Sequence, residues 1–160
     1  MAIRQIRKDG DPELRKKADE VRRFSPHLHR LIDDMVDTMH EAEGVGLAAP
    51  QVGISKRVVV LRHEDEVFEI VNPEITWAQG EDTDIEGCLS CPGVYGEVTR
   101  AAEVKVQGKD RNGKDFIIAG QDLLARVLQH EIDHLDGVLF LDKVEQLLDA
   151  GEIRKLSEKK

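Results

Sequence analysis

Cysteine is scarce: the 160-residue chain has two, Cys88 and Cys91. Two thiols with two residues between them cannot frame a secreted, disulfide-stapled scaffold, and a reducing, cytoplasmic-type compartment is expected. Long apolar runs are also missing. No stretch approaches the roughly 18 apolar residues of a membrane helix. The first segment, MAIRQIRKDGDPELRKK, has charges where a secretion signal needs an apolar centre, so none is expected. Basic charge is in deficit: 23 Lys and Arg against 32 Asp and Glu give a net charge of −9. Phosphate affinity comes from clustered Lys and Arg, so a general nucleic-acid binder is excluded and no specific DNA partner is expected.

What is present is an ordinary core-forming chain. Hydrophobic residues make up 40%, and a chain of this length buries roughly 70% of its unfolded surface. With no repeat, low-complexity tract or linker, residues 1–160 read as a single domain. Asp9-Gly10-Asp11-Pro12 is a turn signal. The charged stretch around it is either a surface strap or a segment pinned by Ile3, Ile6 and Leu14.

Ser25-Pro26 opens a helix, with Ser as N-cap and Pro at the first helical position. Leu28, Leu31, Ile32, Met35, Val36 and Met39 form its apolar stripe, and Gly44 is the expected C-cap. Met35 and Met39 read as core. His27, His29 and His40 flank the helix without a Cys or acid arranged around them, and read as exposed or capping. Residues 57–61 read as a buried strand, with 67–71 its hairpin partner across His63-Glu64-Asp65-Glu66. Further strands are expected at 94–98, 104–106 and 116–118, the last two joined by Asn112-Gly113. A second helix is expected over about 121–135, burying Leu123, Leu124, Val127, Leu128, Ile132 and Leu135. A third, charged one is expected from Val144 to about Leu156 within a C-terminal stretch of about 143–160. The class is α+β, with helices against antiparallel strands.

The strongest chemical signal is His130-Glu131-Ile132-Asp133-His134. Four residues advance a helix by about 400°, so His130 and His134 share a face and can hold one ion. Glu131, about 100° round, can reach a water on it. A hydrolytic site needs a third protein ligand and an open position. Asp136, Asp142 and Glu145 lie downstream without forming a ligand motif. Upstream, Cys88 in Glu86-Gly87-Cys88-Leu89-Ser90 is a thiolate candidate with a flanking Gly. A zinc ribbon needs a second C-x-x-C, and a redox pair expects a strand-to-helix setting. Pro92-Gly93 follows instead, so Cys91 reads as packed or free. Gly44-Val45-Gly46-Leu47-Ala48-Ala49-Pro50-Gln51 lacks the Lys-Ser/Thr of a phosphate loop. It reads as a small-residue segment that a substrate backbone can approach, followed by an amide able to donate to an oxyanion.

GVGLAAPQ at 44–51, EGCLS at 86–90 and HEIDHLDG at 130–137, in this order and spacing, resemble the peptide deformylases, and EGCLS resembles their bacterial type 1 form. The resemblance implies antiparallel sheets packed around a central H-E-x-x-H helix. It implies Cys88, His130 and His134 as ligands of Fe²⁺, with Ni²⁺, Co²⁺ or Zn²⁺ as substitutes. Glu131 would be general base and acid, and Gln51 with the Leu89 N–H would form the oxyanion hole. The implied substrate is the N-formyl-methionine end of a nascent peptide, attacked at the formyl carbon by metal-activated water. Leu123, Val127, the stem of Arg126 and Tyr95 would line a methionine slot. Val45, Gly46 and Gly87 would lie along the peptide backbone. The Arg126 head could meet a substrate carbonyl, a downstream acid or solvent. Asp133 and Glu86 would orient the ligands, with Arg100 paired to one of them. The basic end, Arg154, Lys155, Lys159 and Lys160, could touch the ribosome or be a solvated face. Two other readings stand beside this one. A zincin-like endopeptidase needs a ligand downstream of His134, and a closed structural metal module would use Cys91 as its fourth ligand.

Overall fold

The computed structural model describes residues 2–148. Ser25 caps α1 (Pro26–Glu41), its Oγ accepting from the Leu28 N–H at 3.4 Å. The stripe Leu28, Leu31, Ile32, Met35 and Met39 is buried on the strands, with Val36 half-buried beside it. Beyond Glu41 it is Glu43, at φ 56°, that takes the left-handed conformation expected of Gly44. Gly44 is needed for another reason: a Cβ there would stand 2.7 Å from Leu89 Cδ1.

Five antiparallel strands form the larger sheet, in the order β1 (Gly46–Ala48), β2 (Val58–His63), β3 (Glu66–Gln79), β6 (Glu103–Lys109) and β7 (Asp115–Gln121). The expected hairpin is there: His63 pairs with Glu66, and Glu64 and Asp65 both have positive φ. β2 is apolar without alternation because both its faces are covered. Val58 and Val60 pack in the α1 cluster, while Val59 and Leu61 pack in the cluster of α2 (Asp122–Leu135).

A smaller sheet has the order β4 (Asp82–Cys88), β5 (Cys91–Arg100) and β8 (Val144–Leu148). Here the structure corrects the sequence. The segment from Val144 is a strand, paired Val98↔Val144 through Tyr95↔Leu148. Gly96 admits it, since a Cβ there would sit 2.8 Å from both Val144 methyl groups. The rest of the expected third helix, with Arg154, Lys155, Lys159 and Lys160, lies outside the described residues. Leu14, Cys91, Val98, Leu139 and Phe140 form this sheet's core. Leu14 and half-buried Ile6 hold the N-terminal strap down, whereas Ile3 is 57% exposed and pins nothing. No helix among the described residues is long and apolar enough to cross a membrane.

α2 lies between the two sheets. Leu124, Val127, Leu128, Ile132 and Leu135 face the larger one. Arg126, His130 and His134, at i, i+4 and i+8, are buried on a second stripe. Leu123, expected in the core, is 56% exposed because it starts the helix at the rim of a cavity.

Candidate active site

β4 ends at Cys88, and a two-residue turn, Leu89-Ser90, returns the chain into β5. That turn faces α2 where the histidines stand. Cys88 Sγ and His134 Nε2 are 3.4 Å apart, and ligand atoms of Cys88, His130 and His134 all lie within 4.8 Å of one another. A tetrahedral ion held at roughly 2.0–2.3 Å from each ligand sets such atoms about 3.5 Å apart, so the spacing fits a metal. The donor set, one thiolate and two imidazoles, suits a borderline transition ion. Cys91 is outside the trio, and among the described residues no acid downstream of His134 joins it. Asp136 pairs with Arg57, Asp142 with Arg15, and Glu145 accepts from Thr99. Among the described residues the endopeptidase and four-ligand readings find no further ligand.

Charge behind the ligands is arranged in detail. Glu86 Oε1 is 2.9 Å from His130 Nδ1, which makes Nδ1 the protonated nitrogen and frees Nε2 for a ligand. Arg100 donates to both Glu86 oxygens at 2.8 Å and to Asp133 at 2.6 Å. It thus pairs with both acids rather than one. Arg126 donates to Glu86 at 2.6 Å, to the Val98 carbonyl at 2.9 Å and to the Asp82 carbonyl at 2.7 Å. The Arg126 head is therefore neither solvent-facing nor free for a substrate carbonyl; its acids lie upstream, on β4.

Burial opposes charge on Glu86, but Arg100 and His130 hold its carboxyl well below the usual range. Burial also opposes charge on His130, yet Glu86 and Glu131 leave it raised. Burial pushes His134 well below its ordinary value, so it is neutral and ready to ligate. Cys91 and burial push the Cys88 thiol up, an effect that a cation among the ligands reverses.

Glu131 is buried against Gly46, where any Cβ would overlap its carboxylate. Burial pushes that carboxyl up to about 7. Among the described residues its Oε1 has no partner, which leaves it open to a water. Gln51 is 1% exposed; the Ala48 N–H donates to its Oε1 at 2.9 Å, which turns Nε2 toward Cys88 Sγ, 3.6 Å away.

Gln51, Glu86, Cys88, His130 and Glu131 line a cavity of ≈ 560 Å³. Its lining includes Val45, Gly46, Gly87, Leu89, Tyr95, Leu123, Arg126 and Val127, so every residue expected along the substrate is on one wall or another. Gly87 is required there, since a Cβ would stand 2.8 Å from the Tyr95 ring. Sequence reasoning missed Ile6 and Lys8, which the strap brings to the rim, and no local signal marks them. It missed Phe140 too, whose ring stacks on His130 at 6.1 Å. In the sequence Ser90 is only the end of a motif, whereas in the structure it is wholly buried beside Gln51.

Comparison with known proteins agrees. The family model for polypeptide deformylase matches residues 3–149. A peptide deformylase of Heliobacterium modesticaldum is 59% identical over 145 residues, covering 91% of this chain and 96% of its own. The crystal structure of peptide deformylase from Thermotoga maritima superposes with a TM-score of 0.89 at 40% identity, over 91% of this chain and 99% of that one. A peptide deformylase structure from Legionella pneumophila gives 0.87 at 45% identity over 99% of each chain. With these three motifs folded around one cleft, and with relatives this similar along nearly the full length, the chain is an enzyme of the peptide deformylase family.

Proposed function

We propose that this protein hydrolyses the N-formyl group of formyl-methionyl nascent peptides, releasing formate and a free amino terminus. The observation that carries the reading is the Cys88, His130 and His134 cluster, two of whose members line one cavity together with Glu131 and Gln51. Cys88, His130 and His134 would hold the ion, Fe²⁺ natively, with Ni²⁺, Co²⁺ or Zn²⁺ as substitutes. When bound, it would supply Lewis-acid polarisation and a more acidic water.

The chain's own groups do the rest. Glu131, poised near neutrality, accepts the proton of the attacking water and passes it to the leaving amine. Gln51 Nε2 and the Leu89 N–H donate to the oxygen that gains charge as the formyl carbon becomes tetrahedral. The methionine side chain enters between Leu123, Val127, Tyr95 and the Arg126 stem. Because Glu86, Asp82 and Val98 occupy the Arg126 head, the slot stays apolar. Val45, Gly46 and Gly87 offer backbone groups along the peptide. Such substrates are made in the cytoplasm, and we place the enzyme there.

The test is formate release from a formyl-Met peptide by anaerobic Fe²⁺- or Ni²⁺-loaded protein. Glu131→Ala should lose activity by at least 10²-fold while keeping its metal. Fully metallated wild type that releases no formate would overturn the reading.

A further inference from the structure

We infer that Ser90 is a positioning residue: its buried hydroxyl aims the Gln51 amide at the reacting oxygen. This rests on the reading of Gln51 as an oxyanion donor and extends it. A primary amide has one oxygen and two N–H donors. In Gln51 the oxygen is committed to the Ala48 N–H at 2.9 Å, so the amide has one orientation and Nε2 faces the cleft. One Nε2 proton goes to Ser90 Oγ at 3.1 Å. The other lies on the Cys88 side, 3.6 Å from Sγ, where a substrate oxygen would collect it. With both atoms of the amide group held, only this second proton is left for chemistry. Without the hydroxyl, the amide keeps one anchor and gains a torsional swing about it.

Two further observations support the assignment. Ser90 is 0% exposed and Gln51 1%, so no bulk water replaces the lost acceptor. Their backbones are also registered to each other through the N-terminal strap. The Arg7 N–H donates to the Gln51 carbonyl at 2.6 Å, and the Asp9 N–H donates to the Ser90 carbonyl at 2.8 Å. Lys8 Nζ donates to the Leu89 carbonyl at 3.2 Å, steadying the same turn. The strap thus holds the Gln51 segment and the Leu89-Ser90 turn at one spacing, and the Ser90 hydroxyl completes the bridge between their side chains.

The experiment uses Ni²⁺-loaded wild type, Ser90→Ala, Ser90→Thr, Gln51→Ala and the double variant Ser90→Ala/Gln51→Ala. Formate release from a formyl-Met-Ala peptide gives kcat and KM, with metal content measured for each. Ser90→Ala should lower kcat about tenfold, the scale of a donor misplaced by a fraction of an ångström, with KM within about twofold. Ser90→Thr, which retains the hydroxyl, should recover most of the loss. In the Gln51→Ala background, Ser90→Ala should cost nothing further. The Gln51 side-chain amide protons, followed by NMR in the diamagnetic Zn²⁺-loaded protein, should exchange faster in Ser90→Ala. That readout stands even where activity is lost for another cause. Unchanged kcat in Ser90→Ala, or an equal further loss on top of Gln51→Ala, would overturn the inference and leave Ser90 a packing residue of the turn. Wild type without formate release would instead overturn the deformylase reading.

Discussion

Glu86 carries more of the site than one carboxylate on the cavity wall suggests. One carboxylate accepts two bonds from Arg100, one from Arg126 and one from His130. Both guanidiniums are buried, and without the acid they keep only the partly exposed Asp133 and Asp82 as counter-charges, at a cost of up to about 3–5 kcal/mol. Glu86→Gln keeps the shape and removes the charge. We expect metal retention against a chelator to weaken 10–100-fold, because the His130 ring loses the charged partner that fixes its tautomer and raises its basicity. Retention equal to wild type would show that the acid does not orient the ligand. At this scale the sequence was informative wherever chemistry repeats at helical spacing. His130, Glu131 and His134 are legible by period alone, and Arg126 stands one turn before His130. What Arg126 touches was not legible, because its acids come from a strand some 40 residues away whose position only the folded chain defines.

Elements read well where one face is buried, and poorly where the strand is polar or at an edge. α1 shows its stripe and cap openly, and its energetics follow from burial. Ile32 is wholly buried among Leu28, Met35, Val58 and Val60. Ile32→Ala should cost 2–5 kcal/mol in chemical denaturation, without altering the metal trio on the other side of the sheet. A loss below about 1 kcal/mol would mean that the α1 cluster relaxes into the gap. β4 was missed since Asp82-Thr83-Asp84-Ile85-Glu86 offers no apolar alternation. It is an edge strand whose buried side chain is the charged Glu86. β8 reads as helix in the sequence because Val144, Leu147 and Leu148 fit a helical period as well as a strand. The open side of β5 decided between them, and a neighbour's unpaired backbone is invisible to local pattern.

At the scale of the whole molecule, the N-terminal strap is tied to the chain just before β8. Arg15, in the single turn Pro12–Arg15, donates to Asp142 at 2.6 Å, just before β8. That bond with Arg15 holds the Asp142 carboxyl below its ordinary value of 3.8. A carboxyl depressed in the folded state stabilises fully above its unfolded pKa, and loses that stabilisation as pH falls through the folded value. Wild type should therefore exceed Asp142→Asn in stability at pH 7 by no more than about 1 kcal/mol, the pair being solvent-screened. The gap should narrow on acidification below about pH 4, as followed by denaturation at several pH values. A gap that widens in acid would contradict this.

A second tie bears on the two sheets. Cys88 belongs to the small sheet, whereas His130 and His134 belong to the helix packed on the large one. An ion shared by these three residues is thus a cross-link between two layers as well as a reagent. Its binding free energy adds to the folding free energy of the seam. The supply of metal would then govern how much intact protein persists, and not only how fast each copy works. Starvation for the ion would be felt first as loosening along α2, and through it as loss of enzyme to proteolysis.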